Sequence, residues 1–369
     1  MPCRLSWLIA NIAFLWTRQT TWQAPVILVC SPRSMMEFTL WRKSLNLWLD
    51  NYSLFRDKWV TIERGLESLP RAFGPHIKDK IVYKRKVSGL TYNNATRKVA
   101  VNWRDKADRF SLKPKSQEFD FAVVSAPFTK VRLWKTPRKH WLCLLHDSFW
   151  PHIAYSSVLS RAINNFDYGN ACKVALHYKT RFWEHLNPPI IGGCSYAGLP
   201  GIQSFCYPSY GINRTGPGVL LATYTYEGIS NSVQALSDED HVALAQRAMI
   251  EAHGDVAAEQ FTGIYERKCW GVDEHQAGAW ASPAVGQQKL FLPSFFQTEF
   301  KTIFIGEHTS YTHEWIFSAL DSAVRGSVQL CLELGLVDEA KQIVKEWMGR
   351  WIRLWFRNCR LLSLTNIEV

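Results

Sequence analysis

The pattern of apolar and polar positions is most regular near the carboxyl end of the chain. Residues 302–305 (TIFI) form a short apolar run of the kind that makes a buried strand. Gly306, Glu307 and a polar stretch over 308–313 follow. Apolar residues then recur at helical spacing: Ile316, Leu320, Val324, Val328, Cys331 and Leu334 predict one buried face of a helix from Trp315 to about Leu334. Gly335 is the expected stop, and Asp338-Glu339 open a second helix over residues 337–351.

Earlier in the chain, residues 61–70 (TIERGLESLP) read as a turn leading into a short helix. Three strands are predicted at 81–87, 98–103 and 119–125, separated by turn signals at Asn93-Asn94 and Lys113-Pro114. The last of them lies in FDFAVVSAP, a continuous apolar run stopped by proline, as in a strand covered on both faces. Residues 155–293 have the texture of a mixed α+β domain, with strands at 174–178 and 219–226 and a helix over 237–253. Ser237 is its expected N-cap. Asp238-Glu239-Asp240 fall in the first turn, where the helix dipole favours them, so this triplet reads as capping rather than as a metal site. Residues 1–60 show no sustained period, and 138–154 (RKHWLCLLHDSFWPHIA) break the pattern again.

Composition narrows the class. A chain of 369 residues with 47% apolar and 20% charged residues has material for two domains with cores and is not generally disordered. Its 17 Trp, 20 Phe and 13 Tyr suit large cores or a pocket for a flat ligand. No apolar run reaches the roughly 18 residues of a membrane span. The longest, residues 5–16, reads as a poor signal peptide with no clean cleavage site, so a soluble chain is expected, cytoplasmic ahead of secreted. The net charge of +11 is concentrated in residues 1–140, which carry 26 Lys and Arg against 10 Asp and Glu. Those charges are scattered among Trp, Leu and Phe, so a solvated basic region is expected and a nucleic-acid partner is not. The nine cysteines form no C-x-x-C and no zinc spacing with histidine. They are expected to be mostly buried small hydrophobes, without a disulfide framework or a metal.

A strand followed by Gly-Glu at its carboxyl end and then a helix N-terminus is the geometry in which open α/β sheets bind ligands. The wording of that stretch is more specific: FIGEHTSYTHEWIFSALDSAVRG (304–326) resembles the last flavin-binding segment of the flavin-dependent amine oxidases, in their L-amino-acid oxidase-like branch. Four further stretches resemble the same family, in family order. They are VTIERGLESLPRAF (60–73), with Arg64 and Leu66 where the family has Gly and Met, KVALHYKTRFWE (173–184), FCYPSYGINRTGPGVLLATYTY (205–226) and CWGVDEHQAGAW (269–280). The resemblance covers about residues 59–137 and 155–353.

It implies an α/β plus α+β chain, with an incomplete FAD-binding, Rossmann-like domain and a mixed-sheet substrate domain of the flavin amine oxidase type. The implied segments are an atypical 1–58, a partial FAD-binding and substrate element at 59–137, and an insertion at 138–154. A substrate-binding domain at 155–298, a carboxyl-terminal FAD-binding segment at 299–353 and a tail at 354–369 follow. The implied cofactor is non-covalent FAD, and the implied partners are an L-amino acid or related amine and O2, with a homo-oligomer left open.

The resemblance also assigns roles. Lys173 would hold a water against the flavin, the alternative being a snorkelling lysine on a strand. Gly306 and Glu307 would meet the cofactor's sugar and pyrophosphate region. Trp315 would wall the aromatic cage and, with Ile316, present backbone N–H groups to the flavin ring. Val87, within 81–87, would meet the adenine through its backbone. Tyr207 would bind the substrate carboxylate and Trp270 would line the pocket; both are otherwise packing aromatics. The activity implied is oxidative deamination by hydride transfer to flavin, with oxygen reduced to hydrogen peroxide.

Four departures stand against these expectations. The family's G-x-G-x-x-G is absent, the only G-x-G being Gly216-Pro217-Gly218, and no arginine matches the family's substrate-carboxylate arginine. Glu314 stands where the family has a small residue beside the cage tryptophan. Residues 138–154 interrupt Pro137 and Tyr155, which otherwise look adjacent. An amino-terminally truncated or mis-spliced product is therefore expected, and a non-catalytic fragment or interaction protein on the same scaffold is the alternative function.

Overall fold

The computed structural model describes residue 62 and residues 65–77, 80–105, 107–137, 154–196 and 198–347. The expectations for residues 1–60, for Arg64, for most of 138–154 and for the chain beyond 347 fall outside the described residues. In chain order the first elements are helix α1 (Ser68–Ile77), strands β1 (Lys86–Asn93), β2 (Lys98–Arg104), β3 (Lys115–Phe119) and β4 (Ala122–Val124), and helices α2 (Phe128–Val131) and α3 (Ser157–Asn165). Strands β5 (Tyr168–Gly169), β6 (Ala171–Tyr178), β7 (Cys194–Tyr196), β8 (Ser204–Cys206) and β9 (Gly218–Tyr226) follow. Next come helices α4 (Glu227–Val233), α5 (Asp238–His253) and α6 (Asp255–Gln260), strands β10 (Phe261–Cys269) and β11 (Trp280–Ala281), and helix α7 (Gln287–Phe291). Strand β12 (Thr302–Phe304) and helices α8 (Ile316–Glu333) and α9 (Val337–Trp347) complete the set. Among the described residues no helix is long and apolar enough to cross a membrane. The chain divides into two compact units, one containing Leu69–Phe166 and the chain from Pro283, the other Asp167–Ser282.

In the first unit β1, β2 and β3 form an antiparallel meander, and β12 pairs with β4 in parallel. The β1–β2 turn is set by Asn93, whose Oδ1 accepts from the N–H groups of Ala95 (3.0 Å) and Thr96 (3.3 Å). That turn fixes the register, and it corrects the expected strand at 81–87. β2 is used up pairing Asn93 back to Lys86, so 81–85 has no ladder to join, and Lys84 adopts a left-handed φ of 61°. Val87 is thus the second residue of β1, opposite Trp103. The expected strand at 119–125 is also corrected. Phe119 pairs with Val99 at the exposed edge of the meander, and only Ala122–Val124 continue as the strand beside β12.

The helix after β12 starts and stops as its sequence demands. Gly335 takes φ 74°, its N–H donating to Leu332 O (3.1 Å) while that of Leu336 donates to Cys331 O (2.8 Å), a Schellman stop. The buried face differs from the apolar one expected. Ser318, Ala319, Ser322, Ala323, Gly326 and Ser327 are buried, whereas Ile316, Leu320 and Val328 are half-buried and Leu334 is 52% exposed. The reason is distance. α8 lies so close to the end of β12 that a Cβ on Gly326 would sit 2.5 Å from Ile305 Cγ2. Only small side chains fit there, while Val324 and Cys331 pack sideways on Ala340 and Ile343 of α9.

In the second unit a five-stranded sheet of order β10-β6-β9-β8-β7 packs one face against α5. Val174, Leu176, Tyr178, Leu220 and Ala222 meet Val242, Ala245, Ala248 and Met249 in its core. Ser237 caps α5 as expected, its Oγ accepting from the Asp240 N–H (3.0 Å). The cysteine expectation is corrected here: Cys172 bonds Cys269 and Cys194 bonds Cys206. Each pair is directly opposite across antiparallel strands, a proximity that sheet register creates and sequence spacing conceals.

Candidate functional site

In β6 the alternation of a strand sends Val174, Leu176 and Tyr178 into the core and leaves Lys173, Ala175 and His177 half-buried on the other face. Register places Tyr224 of β9 and Lys268 of β10 opposite Lys173. The Lys173 Nζ lies 4.5 Å from the centroid of the Tyr224 ring and 5.4 Å from that of Trp270, within cation–π range of both. Burial pushes the ammonium down to about 8, because water that would solvate the charge is replaced by rings. Lys268, the like charge across the ladder, is tied to Asp273 in an ion pair. The result is an amine that takes or gives a proton near neutral pH, against two aromatic walls.

Trp270 reaches this position because its N–H donates to Ala171 O (3.0 Å) directly after the Cys269–Cys172 cross-link. Tyr207 is not brought to Lys173. Its ring packs with Phe205, Trp183 and His253 in the core on the Val174 side of the sheet, and its hydroxyl is 2.7 Å from His253 Nε2. Desolvation raises that phenol to about 12 and lowers His253. The residue missed by sequence reasoning is Tyr224. The alternation Tyr224-x-Tyr226 in a strand was the available signal, since it puts both rings on one face, 5.8 Å apart.

The first unit carries the other candidates. Ile305 N–H donates to Val124 O (2.8 Å), completing the β12–β4 ladder, and Gly306 then takes φ 119°, ψ 164°, a conformation essentially restricted to glycine. A Cβ there would also sit 2.6 Å from the His308 ring. Gly306 N–H donates to Ser322 Oγ of α8 (2.8 Å). Glu307 is buried, and its Oε2 accepts from the Glu314 N–H (3.1 Å), with Glu314 itself at a left-handed φ of 73°. That peptide hydrogen bond draws the loop back on itself and delivers Trp315, in extended conformation, to the N-cap of α8.

The Trp315 side chain provides no cap, so the opening of this 18-residue helix is not closed by its own N-cap residue. Arg325, buried within α8, braces the turn from behind. Its Nη2 donates to Phe304 O (3.0 Å) and Thr309 Oγ1 (2.7 Å), and burial lowers it to about 10 against the raising influence of Asp321. Val87 lies just before a register shift in β1.

Gly306, the buried Glu307 carboxylate and the helix opening at Trp315 and Ile316 are the parts of the chain that would hold the sugar and ring end of a flavin dinucleotide. Such a group offers hydroxyls to a carboxylate and takes N–H donors at its ring edge. The diphosphate has no glycine-loop counterpart in this sequence.

The family model for flavin containing amine oxidoreductase matches residues 36–331. An L-amino-acid oxidase of Neurospora crassa is 46% identical over 301 residues, 80% of this chain and 41% of that protein. An L-amino-acid oxidase of Siganus canaliculatus is 32% identical over 187 residues, 50% of this chain and 34% of that protein. The structure of wild-type putrescine oxidase bound to putrescine superposes with a TM-score of 0.53 at 14% identity, covering 77% of this chain and 53% of that one. At that identity the likeness is one of fold, and the mixed α/β and α+β architecture is of that type. The chain spans about half the length, or less, of these proteins.

Proposed function

This chain belongs to the family of flavin-containing amine oxidoreductases, and from that membership we propose that it serves the FAD-dependent oxidative deamination of an L-amino acid or related amine. Dioxygen would be reduced to hydrogen peroxide. The chemistry supplied by bound FAD is acceptance of a hydride from the amine's α-carbon and transfer of the two electrons to dioxygen. The chain's own residues bind, orient and move protons around that step.

Lys173 Nζ, lowered to about 8, exchanges a proton with a water held at the site. Tyr224 and Trp270 keep bulk water away and favour the uncharged amine, which is the reactive form. Glu307 accepts from sugar hydroxyls, while the N–H groups of Trp315 and Ile316 donate to the ring edge, where the helix dipole favours negative charge. Val87 offers its backbone to the adenine. Tyr207, engaged by His253, is assigned to packing in place of carboxylate binding.

The observation that carries this reading is the Lys173 amine held between two aromatic faces. The test is the visible spectrum of the purified chain with and without added FAD, followed by L-amino acids and a peroxide assay. A bound-flavin spectrum that bleaches with amino acid, and is slowed by Lys173→Met, is expected. A chain that stays colourless with FAD overturns the reading and leaves the non-catalytic alternative. The Tyr155 N–H donates to Pro137 O (3.2 Å), which supports reading 138–154 as an insertion between 59–137 and the 155–298 substrate-binding segment. Two disulfides favour an oxidising compartment over the cytoplasm.

A further inference from the structure

Each half-cystine of one disulfide immediately precedes a residue of the candidate site: Cys172 precedes Lys173 and Cys269 precedes Trp270. Among the described residues, strand β10, which carries Cys269, is the edge of the five-stranded sheet and is joined to it through β6. Its first half is irregularly paired, with a register shift between Phe261 and Tyr265, so its regular ladder runs only from Tyr265 to Cys269. The cross-link sits at the last rung. Beyond it the chain turns at once, the N–H groups of Asp273 (3.2 Å) and Gly278 (3.1 Å) both donating to Trp270 O.

The position of the sulfurs relative to the sheet is informative. Cys172 and Cys269 are buried with Val233 on the covered side, whereas Lys173, one residue on, faces the opposite side. The covalent bond therefore fixes the geometry of the lysine–aromatic cluster without occupying it. The second disulfide, Cys194–Cys206, joins β7 and β8 at the other edge of the same sheet.

We propose that the Cys172–Cys269 disulfide is a positioning device for the candidate site, pinning the edge strand so that Trp270 closes against Lys173 opposite Tyr224. Its catalytic meaning rests on the reading of Lys173 given above, whereas its structural claim is testable without cofactor. The groups facing Lys173 are Tyr224 from β9 and Lys268, paired with Asp273, from β10. Asp238, His241 and Arg267 form a separate cluster on the α5 side.

The experiment compares the full chain with two double variants, Cys172→Ala with Cys269→Ala and Cys194→Ala with Cys206→Ala. The chain is labelled with 13C at the lysine ε-carbon, the Lys173 signal is assigned with Lys173→Arg, and its titration is followed by NMR. The parent midpoint is expected at about 8. Removing the site cross-link should raise it by about 1 toward ordinary lysine as the rings part and water returns. Removing the distal one should leave it in place, even if both variants melt earlier. An unmoved Lys173 midpoint in the site variant, or equal movement in both, overturns the proposal. Should the alanine pair fail to fold, Cys172→Val with Cys269→Val fills the buried volume and takes its place in the same comparison. A parent chain that oxidises no amine while its Lys173 midpoint still responds to the site cross-link would defeat the functional reading and leave the positioning claim standing.

Discussion

Gly326→Ala tests the packing that places the Gly306-Glu307 turn. The added Cβ would lie 2.5 Å from Ile305 Cγ2, where carbon atoms ordinarily rest about 3.5–4.0 Å apart, so one partner must move by about 1 Å. Ile305 is fully buried and β-branched, which leaves it little rotamer freedom to yield. Overpacking of this kind costs about 1–3 kcal/mol, and replacing glycine by alanine within a helix returns about 1 kcal/mol. The net expectation is a loss of up to about 2 kcal/mol, read as a fall of up to about 8 °C in thermal midpoint by circular dichroism. Gly228→Ala in α4 is the control. It adds a Cβ with nothing within 4 Å and should stabilise by up to about 1 kcal/mol. A Gly326→Ala chain stabilised as much as the Gly228→Ala control would refute the close approach of α8 to β12.

Three further outcomes are expected. Alkylation of the unfolded, unreduced chain followed by mass spectrometry should leave Cys172, Cys194, Cys206 and Cys269 unlabelled and should label Cys331; labelling of all five would remove both cross-links. Ser237→Ala should cost about 1 kcal/mol, since the Asp240 N–H loses its acceptor, and Ser237→Asp should restore most of it. Stability should fall as pH drops from about 6.5 toward 4. His241 is pushed down to about 4 by burial, and its Nδ1 accepts from Arg267 Nε (2.9 Å), so below the ordinary histidine value the unfolded chain binds protons the folded one refuses. His241→Asn should make that slope shallower, the buried His308 (lowered to about 3) contributing in the same direction, and an unchanged slope would place the titration elsewhere.

The candidate site was unevenly legible. Lys173 and Trp270 stood out by resemblance, yet nothing in their spacing along the chain showed that they share an aromatic cluster. Register across β6, β9 and β10 shows it, and the same register adds Tyr224. Tyr207 stood out equally and landed on the covered side of the sheet, because faces alternate along the chain and Tyr207 lies three residues after Ser204, which pairs with Tyr224 on the Lys173 side. Val87 is in a strand, but the start of that strand was set by the turn at Asn93 and not by its apolar neighbours.

Local signals sufficed wherever one residue type satisfies one backbone need. Ser237 caps, Gly335 stops, and acidic residues open α5 and α9. These are decided within a turn or two of chain, so they were readable before any fold was known. The disulfide partners, the small-residue face of α8 and the surroundings of the Lys173 amine were not. Each depends on which distant segment arrives opposite: Cys269 on Cys172, Ile305 on Gly326, Tyr224 and Trp270 on Lys173. Contact distance between residues far apart in the chain exists only after the sheet has chosen its register and the helix its depth. The tertiary structure therefore decides which residues form the site, while the amino-acid sequence alone settled most of the elements that carry it.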